Sequence, residues 1–150
     1  MKILVIDPNK SMRDVLVKSL SSLTQIEAAE SDEASDEVLS SQTYEWVFID
    51  AAAPDLNCNR VMESLQNSNP SAKIVLLAGF GIDESVISPF LNQGAIKLNK
   101  PFRITDLSRV LGVTGPEIAR TEDADARPRE KPAETTVQPR PVFVKAAIIV

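Results

Sequence analysis

Five short runs rich in Val, Ile and Leu recur along the first two thirds of the chain: "KILVID" (2–7), "TQIEAAE" (24–30), "EWVFID" (45–50), "AKIVLLA" (72–78) and "AIKLN" (95–99). Several do not alternate polar with apolar residues, which is the pattern of strands covered on both faces. Between them the apolar residues change to helical spacing. Met12, Val15, Leu16 and Leu20 form one stripe. Ala34, Val38 and Leu39 form a second, preceded by the N-cap candidates Ser31 and Asp32. Val61, Met62 and Leu65 form a third, Val86, Ile87, Phe90 and Leu91 a fourth, and Ile104, Leu107, Val110 and Leu111 a fifth. A β-α unit repeated five times predicts an α/β domain: a five-stranded parallel sheet, right-handed crossovers, and helices on both faces.

The repeats stop near residue 112, where Gly112 is a natural helix stop. Five of the ten prolines fall between Pro116 and Pro141, among alternating charges and almost no large apolar residues. Such a segment buries too little surface to offset its ordering entropy. The expected organisation is therefore a folded domain over 1–112, a disordered Pro- and charge-rich linker over 113–141, and a short apolar C-terminal segment over 142–150. That last piece, "VFVKAAIIV", is read equally as a docking strand and as a vestigial end.

Composition removes several function classes. The net charge of −5 is carried entirely by residues 1–111, whereas a phosphate-backbone binder is normally basic. The chain has no histidine, so His-based zinc sites and His general bases are excluded. The single Cys58 forms no internal disulfide and fits a reducing compartment. No signal segment opens the sequence and no apolar run reaches the ~20 residues of a membrane span. The expectation is a cytoplasmic protein with no nucleic-acid partner and no membrane span.

In an open parallel sheet, ligands bind beyond the carboxyl ends of the strands. Asp7 closes the first run, Asp50 the third and Ala78 the fourth, and Lys100 directly follows the fifth. If these strands are neighbours, two carboxylates and an ammonium converge on one rim. That set suits a hard cation and a phosphoryl group.

The same residues carry a resemblance. "ILVIDPNKSMR", "FIDAAAP" with its D-x-x-x-P spacing, "GA" at 94–95 and "KPF" at 100–102, in this order over about 111 residues, resemble the CheY-like receiver domain of two-component response regulators. The resemblance implies a flavodoxin-like sheet of strand order 2-1-3-4-5. It implies a domain that accepts a phosphoryl group on Asp50 from a histidine kinase or phosphotransfer protein, and signals by protein–protein contact to a downstream protein. The chain would then be no enzyme beyond its own phosphorylation. Asp50 would be the phosphoacceptor and Lys100 the partner of a phosphoryl oxygen. Asp7, Asp50 and the backbone carbonyl of Ala52 would hold Mg²⁺, and the Lys100–Pro101 bond would be cis.

Three departures from that family stand out. Pro8 replaces an acid that contacts the metal, so weak Mg²⁺ binding is expected. Ala78 replaces a hydroxyl residue, and Lys97 takes the place of an inward-swinging aromatic; both switch positions are degenerate. They support an alternative, a phosphorylation-independent pseudo-receiver that acts as a protein-interaction module. Elsewhere, Pro89 is expected to kink the fourth helix or to start a second piece capped by Ser88. Tyr44 and Trp46 are read as packing residues, Arg13 as surface charge, Cys58 as a free thiol in a polar loop, and "ESDEASDE" (30–37) as a solvated helix face.

Overall fold

The computed structural model describes residues 1–113; residues 114–150, which carry most of the expected linker and all of the apolar end segment, lie outside the described residues. Five strands and five helices alternate: β1 (Lys2–Ile6), α1 (Lys10–Leu20), β2 (Gln25–Ala29), α2 (Asp32–Ser41), β3 (Trp46–Asp50), α3 (Cys58–Ser68), β4 (Lys73–Ala78), α4 (Glu84–Leu91), β5 (Ile96–Asn99) and α5 (Ile104–Leu111). All pairings are parallel, in the order β2-β1-β3-β4-β5. The parallel sheet is the one expected from the repeats, and its flavodoxin-like strand order is the one the resemblance implies.

Alternate side chains of the central strands feed two separate cores. Leu4, Ile6, Val47, Ile49 and Leu76 face Leu39, Val61, Met62, Leu65, Ile87 and Phe90 of α2, α3 and α4. Ile3, Val5, Phe48, Val75 and Leu77 face Leu16, Leu20, Leu107 and Leu111 of α1 and α5. The missing polar alternation in "ILVI" and "WVFID" thus has its cause: both faces of β1 and β3 are covered. Each fully buried Leu, Ile or Phe contributes about 1.5–3 kcal/mol.

The helices begin where capping chemistry permits. The side chains of Asn9, Ser31, Asn57 and Asp83 accept from the backbone N–H groups of Met12, Ala34, Arg60 and Ser85, respectively. Gly112 closes α5 in the left-handed region, at φ +68°, and Val113 still packs against the second core.

Some expectations need correction. Val15 and Val86 fall in the apolar stripes of their helices, yet they are 55 % and 53 % exposed. Each flanks its helix's buried line, Leu16 and Leu20 in one case and Ile87 and Phe90 in the other. The fourth helix does not divide at Pro89: α4 runs through it, capped by Asp83 and not by Ser88. With only eight residues, α4 forfeits few internal bonds to a proline in its second half. Cys58 opens α3 instead of lying in a loop, and it is half-buried. The acidic stretch is not simply solvated. Arg60 of α3 pairs with Asp32, Glu33 and Asp36, at 3.2, 3.4 and 2.8 Å, and ties α2 to α3. Tyr44 and Trp46 are packed: Tyr44 bonds Glu27 at 2.6 Å, and the Lys73 ammonium lies 5.0 Å from the Trp46 ring centroid.

Candidate functional site

Parallel strands bring their carboxyl ends to one rim, and the register decides which residues meet there. Ile6 lies opposite Ile49, Asp50 opposite Leu77 and Ala78 opposite Asn99. Asp7, one residue past β1, therefore neighbours Asp50, and Lys100, one residue past β5, lies beside the end of β4. Backbone bonds hold the ends of these strands: Asp7 N–H to Ala29 O (3.1 Å), Ala51 N–H to Leu77 O (3.0 Å) and Lys100 N–H to Ala78 O (2.8 Å).

The three ionic side chains meet. Lys100 Nζ is 3.0 Å from Asp50 Oδ1 and 3.8 Å from Asp7 Oδ2. Each carboxylate is also anchored to its own loop: Asn9 N–H donates to Asp7 Oδ1 (2.8 Å) and Ala52 N–H to Asp50 Oδ1 (3.0 Å). Their exposures differ in a way that separates their chemistry. The Asp7 side chain is sealed, at 0 %, whereas that of Asp50 keeps 8 % and Lys100 keeps 20 %. Of the two carboxylates, Asp50 is the one that keeps some solvent exposure.

Asp7 carries the electrostatic cost of the site. Its Oδ2 is buried with no hydrogen-bond partner. Burial pushes its carboxyl above the usual aspartate range, and the nearby Asp50 charge adds to this. The Asn9 amide, the Lys100 ammonium and the Arg13 guanidinium oppose it. An orphaned buried carboxylate oxygen costs free energy unless a proton, a water or a cation meets it.

Of the remaining sequence candidates, Ala78 ends β4 fully buried and brings no hydroxyl to the rim. Lys97 lies on β5 and forms an ion pair with Glu84 at the start of α4 instead of extending freely into solvent. The Lys100–Pro101 peptide is cis. Ala52 is exposed in the loop after β3, and its neighbour across the rim is Gly79. A Cβ built on Gly79 would come within 3.1 Å of the Ala52 Cβ, so the loops after β3 and β4 cross closely because one of them carries glycine. Cys58 Sγ lies 3.8 Å from the backbone carbonyl of Asp50. Burial, with a smaller contribution from the Asp50 charge, raises its thiol to about 11.

Arg13 is the residue the sequence reading missed. Its side chain is only 14 % exposed. Nη1 donates to the backbone carbonyls of Asp7 (2.7 Å) and Pro8 (3.0 Å), and Nη2 lies 3.5 Å from Glu30 Oε2. One signal was available. A cation near a helix N-terminus opposes the helix dipole, so Arg13, so near the start of α1, calls for a tertiary partner.

The sequence matches no protein-family model and no curated protein. The fold has clear structural relatives. A response regulator receiver domain protein from Clostridium thermocellum superposes with a TM-score of 0.66 at 22 % identity, over 82 % of this chain and 98 % of that one. The signal receiver domain of an HD domain-containing protein from Pseudomonas fluorescens Pf-5 gives 0.66 at 22 %, over 83 % and 98 %. A structure described as an adenylate cyclase from Rhodopirellula baltica gives 0.67 at 19 %, over 82 % and 93 %. At such identities the likeness is one of fold, and that fold is the CheY-like receiver fold. No helix among the described residues is long and apolar enough to cross a membrane.

Proposed function

We propose that this receiver-fold chain is a phosphoacceptor: Asp50 takes a phosphoryl group from a histidine kinase or phosphotransfer protein, and the phosphorylated domain signals by protein contact. One observation carries the reading. Three ionic side chains from distant parts of the sequence meet at the carboxyl rim of the sheet, and of the two carboxylates only Asp50 keeps any solvent exposure.

The chemistry follows from those positions. An oxygen of the Asp50 carboxylate attacks the phosphorus of the donor. The new O–P bond makes an acyl phosphate as the bond to the donor's nitrogen or oxygen breaks, and the leaving group takes up the proton it needs from solvent. Phosphoryl transfer is mostly positioning and charge stabilisation. The Ala52 amide and the Lys100 ammonium already hold one oxygen of Asp50, which fixes the carboxylate's orientation. Lys100 then transfers its contact to a phosphoryl oxygen, with Asp7 behind it.

The donors suit a hard divalent cation. Asp7 Oδ2 is an unpartnered buried oxygen beside a second carboxylate, and oxygen donors of this kind match Mg²⁺. Asp7, Asp50 and the Ala52 carbonyl would hold it. Among the described residues no third acidic, Cys or His side chain joins this pair, and Pro8 offers no side-chain oxygen, so the affinity is low. When bound, the cation supplies positive charge to the phosphoryl oxygens.

The test is incubation with acetyl phosphate and Mg²⁺ followed by intact mass measurement. A species about 80 Da heavier, one phosphoryl group, is expected for the wild type and absent from Asp50→Asn. No such species, or one that persists in Asp50→Asn, rejects the reading. A second reading is favoured by Pro8, Ala78 and the Lys97–Glu84 pair: a pseudo-receiver that binds its partner without phosphate chemistry. The same measurement separates the two.

A further inference from the structure

We infer that Arg13 is a positioning residue for Asp7: its guanidinium clamps the β1–α1 turn from behind and thereby fixes the carboxylate that would hold the cation. The inference rests on the cation-binding role proposed above.

The β1–α1 turn is unusually dependent on side chains. Pro8 has no N–H to donate, and Asn9 spends its backbone N–H on Asp7 Oδ1 and its own carboxamide oxygen on the Met12 N–H. The carbonyls of Asp7 and Pro8 are both taken by a single nitrogen, Arg13 Nη1. The loop is thus a closed ring: the Arg13 guanidinium holds the backbone of residues 7 and 8, that backbone orients Asn9, and Asn9 orients the Asp7 carboxylate. A lysine's single nitrogen could serve these carbonyls only in part, because it is one atom shorter in reach and cannot meet Glu30 as the second guanidinium nitrogen does. Its location near the N-terminus of α1 costs dipole energy; the clamp is what that placement gains.

Electrostatics and positioning predict opposite signs for cation binding, which makes the inference testable. Removing a positive charge close to the Asp7 carboxylate should tighten a divalent cation. Removing a clamp that keeps Asp7 in place should weaken it. The experiment compares wild type, Arg13→Gln, Arg13→Lys and the control Lys10→Gln, whose native side chain is 78 % exposed in the same helix. The first measurement uses metal-free protein: amide hydrogen exchange at Asn9, read by NMR. Arg13→Gln should speed Asn9 exchange about tenfold while amides of β3 keep their protection. Unchanged Asn9 exchange in Arg13→Gln overturns the inference.

The second measurement is Mn²⁺ affinity, from water proton relaxation, with Asp50→Asn as the blank. Arg13→Gln should weaken Mn²⁺ about tenfold, Arg13→Lys should recover part of that loss, and Lys10→Gln should match wild type within about twofold. Unchanged or tighter Mn²⁺ binding in Arg13→Gln overturns the inference even if the domain has become less stable. Should wild-type protein bind no Mn²⁺ that Asp50→Asn removes, the proposed cation site is wrong, and Asn9 exchange alone decides whether Arg13 orients Asp7.

Discussion

Replacing Asp7 by asparagine should make the metal-free domain more stable at neutral pH. The side chain is fully buried, and one of its oxygens has no partner. Its attraction to Lys100 over 3.8 Å is worth about 4 kcal/mol at an effective dielectric near 20. Against it stand the desolvation of a buried carboxylate, several kcal/mol, and repulsion from Asp50, which holds the same ammonium at the shorter distance of 3.0 Å. The raised carboxyl of Asp7 says which side wins: in the folded protein its ionised form is disfavoured relative to the unfolded chain. Asparagine keeps the acceptor for the Asn9 N–H, removes the charge, and leaves the Asp50–Lys100 pair complete. A gain of about 1–2 kcal/mol is expected, or roughly 4 °C in Tm per kcal/mol for a domain of this size. The sign of the pH dependence is fixed. Between the unfolded carboxyl value, near 3.8, and the raised folded value, the native state holds more protons than the unfolded one. The contribution of Asp7 to wild-type stability therefore declines as pH rises through that window and is level above it. The advantage of Asp7→Asn is full above the window and vanishes below it. Urea melts in EDTA at about pH 7.5 and about pH 3.5 measure this, with chelator present because a bound cation stabilises only the native wild type. An asparagine variant no more stable than wild type at the higher pH, or equally advantaged at the lower, refutes the reasoning.

Three other outcomes are expected. Tyr44→Phe should cost about 1–2 kcal/mol in denaturant melts, because the buried hydroxyl donates to Glu27 Oε2 and accepts from Gln42 Nε2 (2.7 Å). The Tyr44 bond is also the main cause of the lowered Glu27 carboxyl. That contribution is present above the ordinary glutamate range and lost as pH falls through the lowered value, so the variant should show a flatter acid limb. Cys58, its thiol raised to about 11, should alkylate with iodoacetamide at about pH 8 roughly a hundredfold more slowly in native protein than in urea; equal rates would contradict the burial described here. Gly79→Ala should shift the Ala52 amide resonance, since the new methyl meets Ala52 Cβ at 3.1 Å; an unmoved Ala52 amide would mean that the two loops do not approach as they do here.

Periodicity alone determined the architecture. An uninterrupted run such as "WVFID" is stable only as a strand with a helical layer on each face, and five such runs alternating with amphipathic stripes allow few arrangements other than a doubly covered parallel sheet. Capping was as local and as legible: Ser31 and Gly112 terminate helices through their own side chain or backbone freedom. The strand-end acids could be picked out because parallel strands send their carboxyl ends to one rim. Their distances could not, because register, set by packing along the whole sheet, decides that Asp7 and Asp50 lie side by side and that Lys100 reaches both. Burial was the other quantity that only three dimensions supplied. Arg13 reads as a surface cation because a lone arginine in a helix is mostly solvated; the fold covers it and turns it toward two backbone carbonyls. The acidic run of α2 reads as solvated until α3 places Arg60 against it. Charges interact through space and not along the chain, so their partners appear only when the chain has closed on itself.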